Sequence, residues 1–425
     1  MLLAAACLLS IGCLELSQDA AVVSAAADVN EAAPAAPAEA ALEARIEAAR
    51  TAGLPEAEAS MVGVGVTRLL AMQEGDAKDQ WPYEGVYRVR GQIPVGYRVG
   101  GTAIAAMALM QAPGLATDPE RREAILRAAR FVAKAIEHPL MNPDYAGGYD
   151  VRGWGYAYGV RFLLRLKASG LLDGDGRTAT LVDAAIRFYL DGLAAIEIPQ
   201  VGGWNYARRG PLDRPDSAAP FMTAPVLRSL AEAKAAGFKV DAALIERGLV
   251  SLEKNRGPDG TYEYAGQGRG RIDPAQRPGA IGRMASGDLV LVEAGRLEPE
   301  SLRRALESFF AYWDELEVRR RQNGTHVAPY GVAPYYFMYA HGAVGEAIER
   351  LPEAWRPPLR KALLERLMQV REDEGVWNDR VFERSANYGT ALALEALLAP
   401  LGVPAASWPA AQPDAAEEPG AKEAP

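Results

Sequence analysis

The residues able to do chemistry in this 425-residue chain are few, and their types exclude more than they offer. Both cysteines, Cys7 and Cys13, fall in an apolar N-terminal stretch. The body therefore lacks thiolate metal ligands, a Cys nucleophile and disulfides. His138, His326 and His341 are too few for a His-rich metal centre, so no metal and no cofactor is expected. A formal charge of −9 argues against a nucleic-acid reader, which needs a net basic face. The strong basic run Arg319-Arg320-Arg321 falls at the end of a predicted helix, where it complements the helix dipole.

What remains is a set of polar and aromatic residues placed just before, or at the start of, helices rich in small side chains. They are Asp150, Arg152, Trp154 and Tyr156; Asp213 and Asp216; Arg283 and Asp288; His326, Tyr330, Tyr335 and Tyr336; and Arg384 and Asn387. Carboxylates, guanidinium forks and aromatic faces of this kind suit a polar ligand or a sugar. His326, in Asn323-Gly324-Thr325-His326 ahead of Tyr330, is the leading acid or base near neutral pH, or else a hydrogen-bonded loop residue. Asp213, Asp216 and Tyr330 complete the catalytic candidates. Each has a structural alternative. Asp213 and Asp216 can cap the helix that follows. Arg152, Arg283 and Arg384 can tie repeats together through carboxylates. Trp154, Trp204 and Trp377 can wedge repeats together, and His341 can pack in the core. Arg283 and Asp288 bring charge into an otherwise apolar helix, which costs several kcal/mol unless well matched, on the order of the burial penalty per ion.

The elements that position these residues recur. Landmark aromatics at Trp81, Trp154, Trp204, Tyr262, Tyr330 and Trp377 sit in Gly-rich turns between pairs of predicted helices. The first helix of each pair is amphipathic and covers 58–73, 118–137, 178–195, 241–255, 299–320 and 355–371. The second is small and apolar nearly all round and covers 98–111, 155–169, 217–236, 284–296, 332–349 and 387–399. Repeats that cannot bury an apolar face alone must stack. Six buried helices enclosed by six half-exposed ones make an all-α, (α/α)6 toroid, with an open solenoid as the alternative.

The pattern resembles the prenyltransferase and squalene-oxidase repeat proteins, which share their toroid with squalene–hopene cyclases and protein prenyltransferase β subunits. The likeness rests on Gln369 through Gly375-Val376-Trp377, on Gly202-Gly203-Trp204-Asn205-Tyr206, and on Asn387-Tyr388-Gly389-Thr390-Ala391. In that family the Trp packs against the following helix. The resemblance implies the fold over roughly residues 60 to 400. It does not bring the family's chemistry, because no Asp-x-Asp-Asp acid occurs and no Cys is available for a zinc site. The nearest string, Asp173-Gly174-Asp175-Gly176, reads as a turn opening an outer helix.

The termini read differently. Residues 1–27 look like an export or lipoprotein leader, with apolar Leu2 to Leu14 and a small-x-small site at Ser24-Ala25-Ala26. No Lys or Arg precedes Arg45, so the usual positive start is missing. Ser10-Ile11-Gly12-Cys13 resembles a lipobox with Ser in place of Leu, which permits a lipid anchor at Cys13. Residues 28–57 read as an Ala/Pro/Glu linker, 58–400 as the toroid and 401–425 as a disordered tail. The expected role is an exported, periplasmic or envelope toroid that binds a ligand or protein partner without catalysis. A glycan-active hydrolase or lyase, or an isoprenoid-active enzyme, is the alternative.

Overall fold

The computed structural model describes residues 36–84, 88–145, 151–206, 212–264, 277–322, 336–379, 383–402 and 408. Outer helices are α2 (Glu56–Ala71), α4 (Pro119–Lys134), α6 (Gly176–Ala195), α8 (Ala242–Lys254), the broken pair α11 (Pro299–Ala311) and α12 (Trp313–Arg320), and α14 (Arg356–Gln369). Inner helices are α3 (Val95–Gln111), α5 (Arg152–Ala168), α7 (Pro220–Ala235), α10 (Met284–Glu293), α13 (Tyr336–Ile348) and α15 (Ala386–Leu398). A short α9 (Arg277–Ile281) precedes α10. Each inner helix packs on the next, and α15 packs back on α3 and α2. The ring is closed, so the fold is an (α/α)6 toroid and not an open solenoid.

Local sequence explains the layers. Along α11 the apolar positions Leu302, Ala305, Leu306 and Phe309 lie three and four apart and are buried, while Glu and Arg fill the outer face. The inner helix α3 is buried almost throughout, with Gly100, Gly101, Ala103, Ala105 and Ala106 letting its neighbours approach. Three outer helices start on an aspartate cap. Asp118, Asp175 and Asp241 accept from the backbone N–H groups of Arg121, Thr178 and Ala243 at 3.1, 3.0 and 2.9 Å. Asp175 thus makes Asp173 to Gly176 the structural turn that its composition suggests.

The Trp turns have one geometry in three repeats. The indole N–H groups of Trp81, Trp204 and Trp377 donate to the carbonyls of Leu69, Leu193 and Leu367 at 2.6, 2.8 and 2.8 Å, in the last turns of α2, α6 and α14. Their backbone N–H groups donate to Oγ1 of Thr102, Thr223 and Thr390 on the next inner helix at 2.9, 3.1 and 3.1 Å. Gly389 is needed beside Thr390, because a Cβ there would sit 2.4 Å from the Trp377 carbonyl oxygen. Trp154 departs from the pattern. It lies inside α5, and its ring covers Gly100 instead of wedging a turn.

The linker expected over 28–57 is corrected from Ala36 onward, residues 28–35 lying outside the described residues. Helix α1 (Ala36–Thr51) packs on α2, and Arg45, 6% exposed, bonds Asp118 at 2.8 Å, Glu120 at 2.7 Å and Thr67 at 3.0 Å. The Ala and Glu that suggested a tether are also strong helix formers, and Ile46 and Ala49 supply the buried face. The leader 1–27 lies outside the described residues, as does most of 401–425, although Trp408 packs against the core. Among the described residues no helix is long and apolar enough to cross a membrane.

Replacing Thr390 by Val keeps the shape but leaves the Trp377 N–H without its buried acceptor. Chemical denaturation is expected to show a loss of about 1–3 kcal/mol, with Thr390→Ser close to wild type.

Candidate functional site

Each outer helix returns the chain, so the six inner helices run in one direction and the toroid has an N-terminal and a C-terminal mouth. At the N-terminal mouth lies a groove of about 800 Å³ between the α2–α3 loop, the α4–α5 loop and the start of α15. Its charged rim includes Glu74, Glu84, Arg90, Arg98, His138 and Arg384. Arg384 reaches Glu74 at 3.3 Å and Glu84 at 3.8 Å, which links the last repeat to the first. Arg98 donates to Gln80 at 2.7 Å and lies over the Phe131 ring. His138 accepts from the Leu140 N–H through Nδ1 at 3.1 Å, and burial, helped by Arg98, lowers its pKa. Arg90 is exposed at the tip of the Val89–Gln92 turn with φ of 51° and makes no ion pair among the described residues. A non-glycine residue in the left-handed region is costly, so this turn holds its guanidinium out at the expense of backbone strain.

Inside that mouth the axis is filled with rings. Tyr83 meets Tyr388 at 4.5 Å and Tyr97 at 5.3 Å, Trp154 meets Tyr158 at 5.2 Å, and Phe221 meets Tyr339 at 4.5 Å. Asp379 is fully buried beside them and accepts from Ser385 Oγ at 2.7 Å and from Tyr83 at 3.4 Å. Further along, the C-terminal halves of the inner helices carry charge. Arg161 binds Glu232 at 3.1 Å, Arg228 binds Glu346, and Glu293 takes Arg350 at 2.8 Å. Of these, Arg161, Arg228 and Glu346 line a cavity of about 40 Å³ together with Glu395. Burial alone would raise Glu346, but Arg228 and Arg161 outweigh it and hold it at about 2. Glu395 has no such pairing; burial raises it to about 7, opposed only in part by Arg165.

The sequence candidates separate on this frame. Arg384 lies on the groove, and Asn387 supports it from beneath by donating to the Pro82 carbonyl at 3.0 Å. Arg152 is a buried tie: it donates to the carbonyls of Asn142, at 2.6 Å, and of Pro143 and Tyr145. These backbone oxygens anchor it to the α4–α5 loop. Tyr156 donates to the Met141 carbonyl, and Trp154 belongs to the axial rings. Arg283 donates to the carbonyls of Gly279 and Tyr262, while Asp288 is bound by Arg256 at 2.8 Å and Tyr262 at 2.7 Å. Arg283 and Asp288 are thus each matched elsewhere, as packing ties. Asp213 and Asp216 are exposed, and neither caps α7, whose N-cap is Ala219. This corrects the capping expectation. His341 is a core residue: Trp313 donates to its Nε2 at 2.9 Å, its Nδ1 bonds the Phe337 carbonyl at 2.7 Å, and burial lowers it to about 4. Asp150, His326, Tyr330 and Tyr335, and the side chain of Tyr336, lie outside the described residues.

The axial charges were not among the candidates. Glu346 and Glu395 are the lone Asp, Glu, Lys or Arg of α13 and α15, the same signal that drew attention to Arg283 and Asp288, while Arg161 and Arg228 share their helices with other charges.

No family model matches the sequence, and no curated protein matches it. Among solved structures the chain is similar to the apo form of type II terpene cyclase MstE from Scytonema, at 14% identity over 81% of this chain and 98% of that one, with a TM-score of 0.49. A variant of that cyclase in complex with geranylgeranyl dihydroxybenzoate is 13% identical over 85% of this chain and 99% of that one, with a TM-score of 0.48. A protein from Actinoplanes is 16% identical over 80% of this chain and 98% of that one, with a TM-score of 0.47.

The two axial glutamates act on stability in opposite senses. Glu346, held low, contributes stability that is lost as pH falls from the ordinary carboxyl range toward about 2. Glu395, held high, contributes stability that is present below about 4.5 and lost as pH rises through about 7. Thermal unfolding is expected to peak near pH 5 and decline toward pH 8, with the alkaline decline flattened in Glu395→Gln.

Proposed function

We propose that this protein is a non-catalytic binding toroid of the cell envelope, which takes an anion-bearing polar ligand or partner segment at its N-terminal mouth. The observation that carries the reading is the contrast in space: about 800 Å³ at the rim against about 40 Å³ on the axis. Ligand sites usually occupy a few hundred cubic ångströms or more, with a small number of fixed polar groups. The rim has these groups. Its acids Glu74 and Glu84 are already engaged by Arg384, and Arg88 also binds Glu84, while Arg90 faces outward. Arginine forks recognise carboxylate and phosphate in this way. An isoprenoid chain would need an apolar chamber along the axis, where rings and ion pairs stand instead. A glycan hydrolase would need two carboxyl groups flanking one bond, and Asp213 and Asp216 have no such setting. The apolar leader and the lipobox-like Cys13 support the envelope as its location, with anchoring through that cysteine.

The test is native mass spectrometry of protein purified gently from its host. Wild type is expected to retain an anionic small molecule or a partner chain, and Arg90→Glu combined with Arg384→Ala should weaken that retention at least tenfold while the melting curve stays intact. A retained mass of apolar lipid, equal in both proteins, would overturn the reading in favour of isoprenoid activity. Oligosaccharide turnover that collapses in Asp213→Ala would overturn it in favour of a glycan-active enzyme.

A further inference from the structure

The C-terminal mouth offers a second site, on the same axis but at the opposite end from the groove. Its cavity of about 40 Å³ is lined by Tyr158, Arg161, Arg228, Tyr339, Glu346 and Glu395. That volume holds about three waters, or one carboxylate group, on the usual 10–15 Å³ per water. Two guanidinium groups face it with donors to spare. Arg161 and Arg228 are each only 6% exposed, yet Arg161 Nη2 and Arg228 Nε and Nη2 have no hydrogen-bond acceptor. Their nearest extra carboxylates, Glu346 for Arg161 Nη2 and Glu293 for Arg228 Nε, stand 3.9 and 3.8 Å away, too far for a hydrogen bond. A buried N–H left unmade costs about 1–3 kcal/mol, so such donors call for an acceptor. Opposite them stands Glu395, the cavity carboxyl that no guanidinium grips, in contrast to Glu346.

We propose that this cavity binds a small carboxylate, which accepts from the spare N–H groups of Arg161 and Arg228 and shares one proton with Glu395. Above about pH 7 binding takes up that proton from solvent, because two ionised carboxylates cannot share so small a space. The charged groups facing Glu395 are Arg161 and Arg165 of α5, Arg228 of α7 and Glu346 of α13. Helix α10 adds Ser286 and, through Arg228, Glu293, while the C-terminal half of α3, Met107 to Gln111, carries no charge. The raised proton affinity of Glu395 fits the role but is not its basis. The inference does not depend on the groove at the other mouth, and Arg90→Glu should leave it untouched.

The probe is carbon-13-labelled formate, followed by NMR line broadening with the full chain. Saturable binding is expected at pH 6, weakening about tenfold per pH unit above pH 7. Glu395→Gln should bind formate with that pH dependence removed, and folded Arg161→Lys should bind at least tenfold more weakly. An acyl-glycine that binds more tightly than formate would point to a peptide C-terminus as the carboxylate source, and equal binding to a free small acid. Absence of saturable binding at pH 6, pH-independent binding by wild type, or unchanged binding by Arg161→Lys would each overturn the proposal and leave the cavity to water.

Discussion

An indole N–H held by a carbonyl in the last turn of an outer helix is the bond on which the ring depends. Every helix ends with carbonyls that lack intrahelical partners, and burying such an end requires a donor from elsewhere. Trp81, Trp204 and Trp377 supply that donor at Leu69, Leu193 and Leu367. The same residues commit their backbone N–H groups to Thr102, Thr223 and Thr390 on the following inner helix. One side chain thus ends the outer helix, fills the junction and fixes where the inner helix begins. In two repeats the Thr hydroxyl also donates back to the Trp carbonyl, at 3.3 and 3.4 Å, so the tie runs both ways. The direction shared by all six inner helices follows from repeating this geometry, and both mouths follow from that direction.

Parallel inner helices converge their C-termini on the axis, and each brings a partial negative charge. The cluster there answers that field first with Arg161, Arg165 and Arg228 and then balances the guanidinium groups with Glu232, Glu293 and Glu346. Buried ion pairs of this kind rarely add net stability over an apolar core, because desolvation offsets their attraction. The cluster costs little only while every member is matched. Glu395 and Arg165 make none of these close pairs, and the high proton affinity of Glu395 is the local expression of that imbalance.

Much of this was legible in the sequence. The small-residue inner helices and the Gly-Trp turns at Trp204 and Trp377 each follow a rule about local burial or hydrogen bonding, and the structure keeps them at those positions. Where reading failed, the cause lay in what a repeat does across space. Trp154 carries the same Gly-rich neighbours as Trp204 but sits inside a helix, since Gly153 and Gly155 serve close approach to Tyr206 and Gly96 and make no turn. Arg283 and Asp288 were recognised as charge inside an apolar helix, but Arg256 and Tyr262, which meet Asp288, lie in a loop that spacing alone does not bring to it. Arg45 shows the reverse case. Its neighbourhood has linker composition, and only the distant Asp118 and Thr67 make it the clamp that holds α1 down.

The groove at the N-terminal mouth sits on the seam where the last repeat meets the first. Arg384 and Asn387 come from the end of the domain, Glu74, Pro82 and Glu84 from its beginning, and their contacts close the ring. A closed array differs from an open one at this point, because its end repeats cap each other and need no separate caps. A ligand seated across the seam, as we propose, binds only the closed form, so it stabilises closure by RT ln(1 + [L]/Kd). Exposed pairs such as Arg384 with Glu74 contribute little by themselves. They need only keep the rim charges in register for that ligand. The strength of closure is supplied by the packing of α15 on α3 and by the tilted ring contact of Tyr83 with Tyr388. Recognition and closure thereby share residues but not energy, and this is why rim arginines can be removed without opening the toroid.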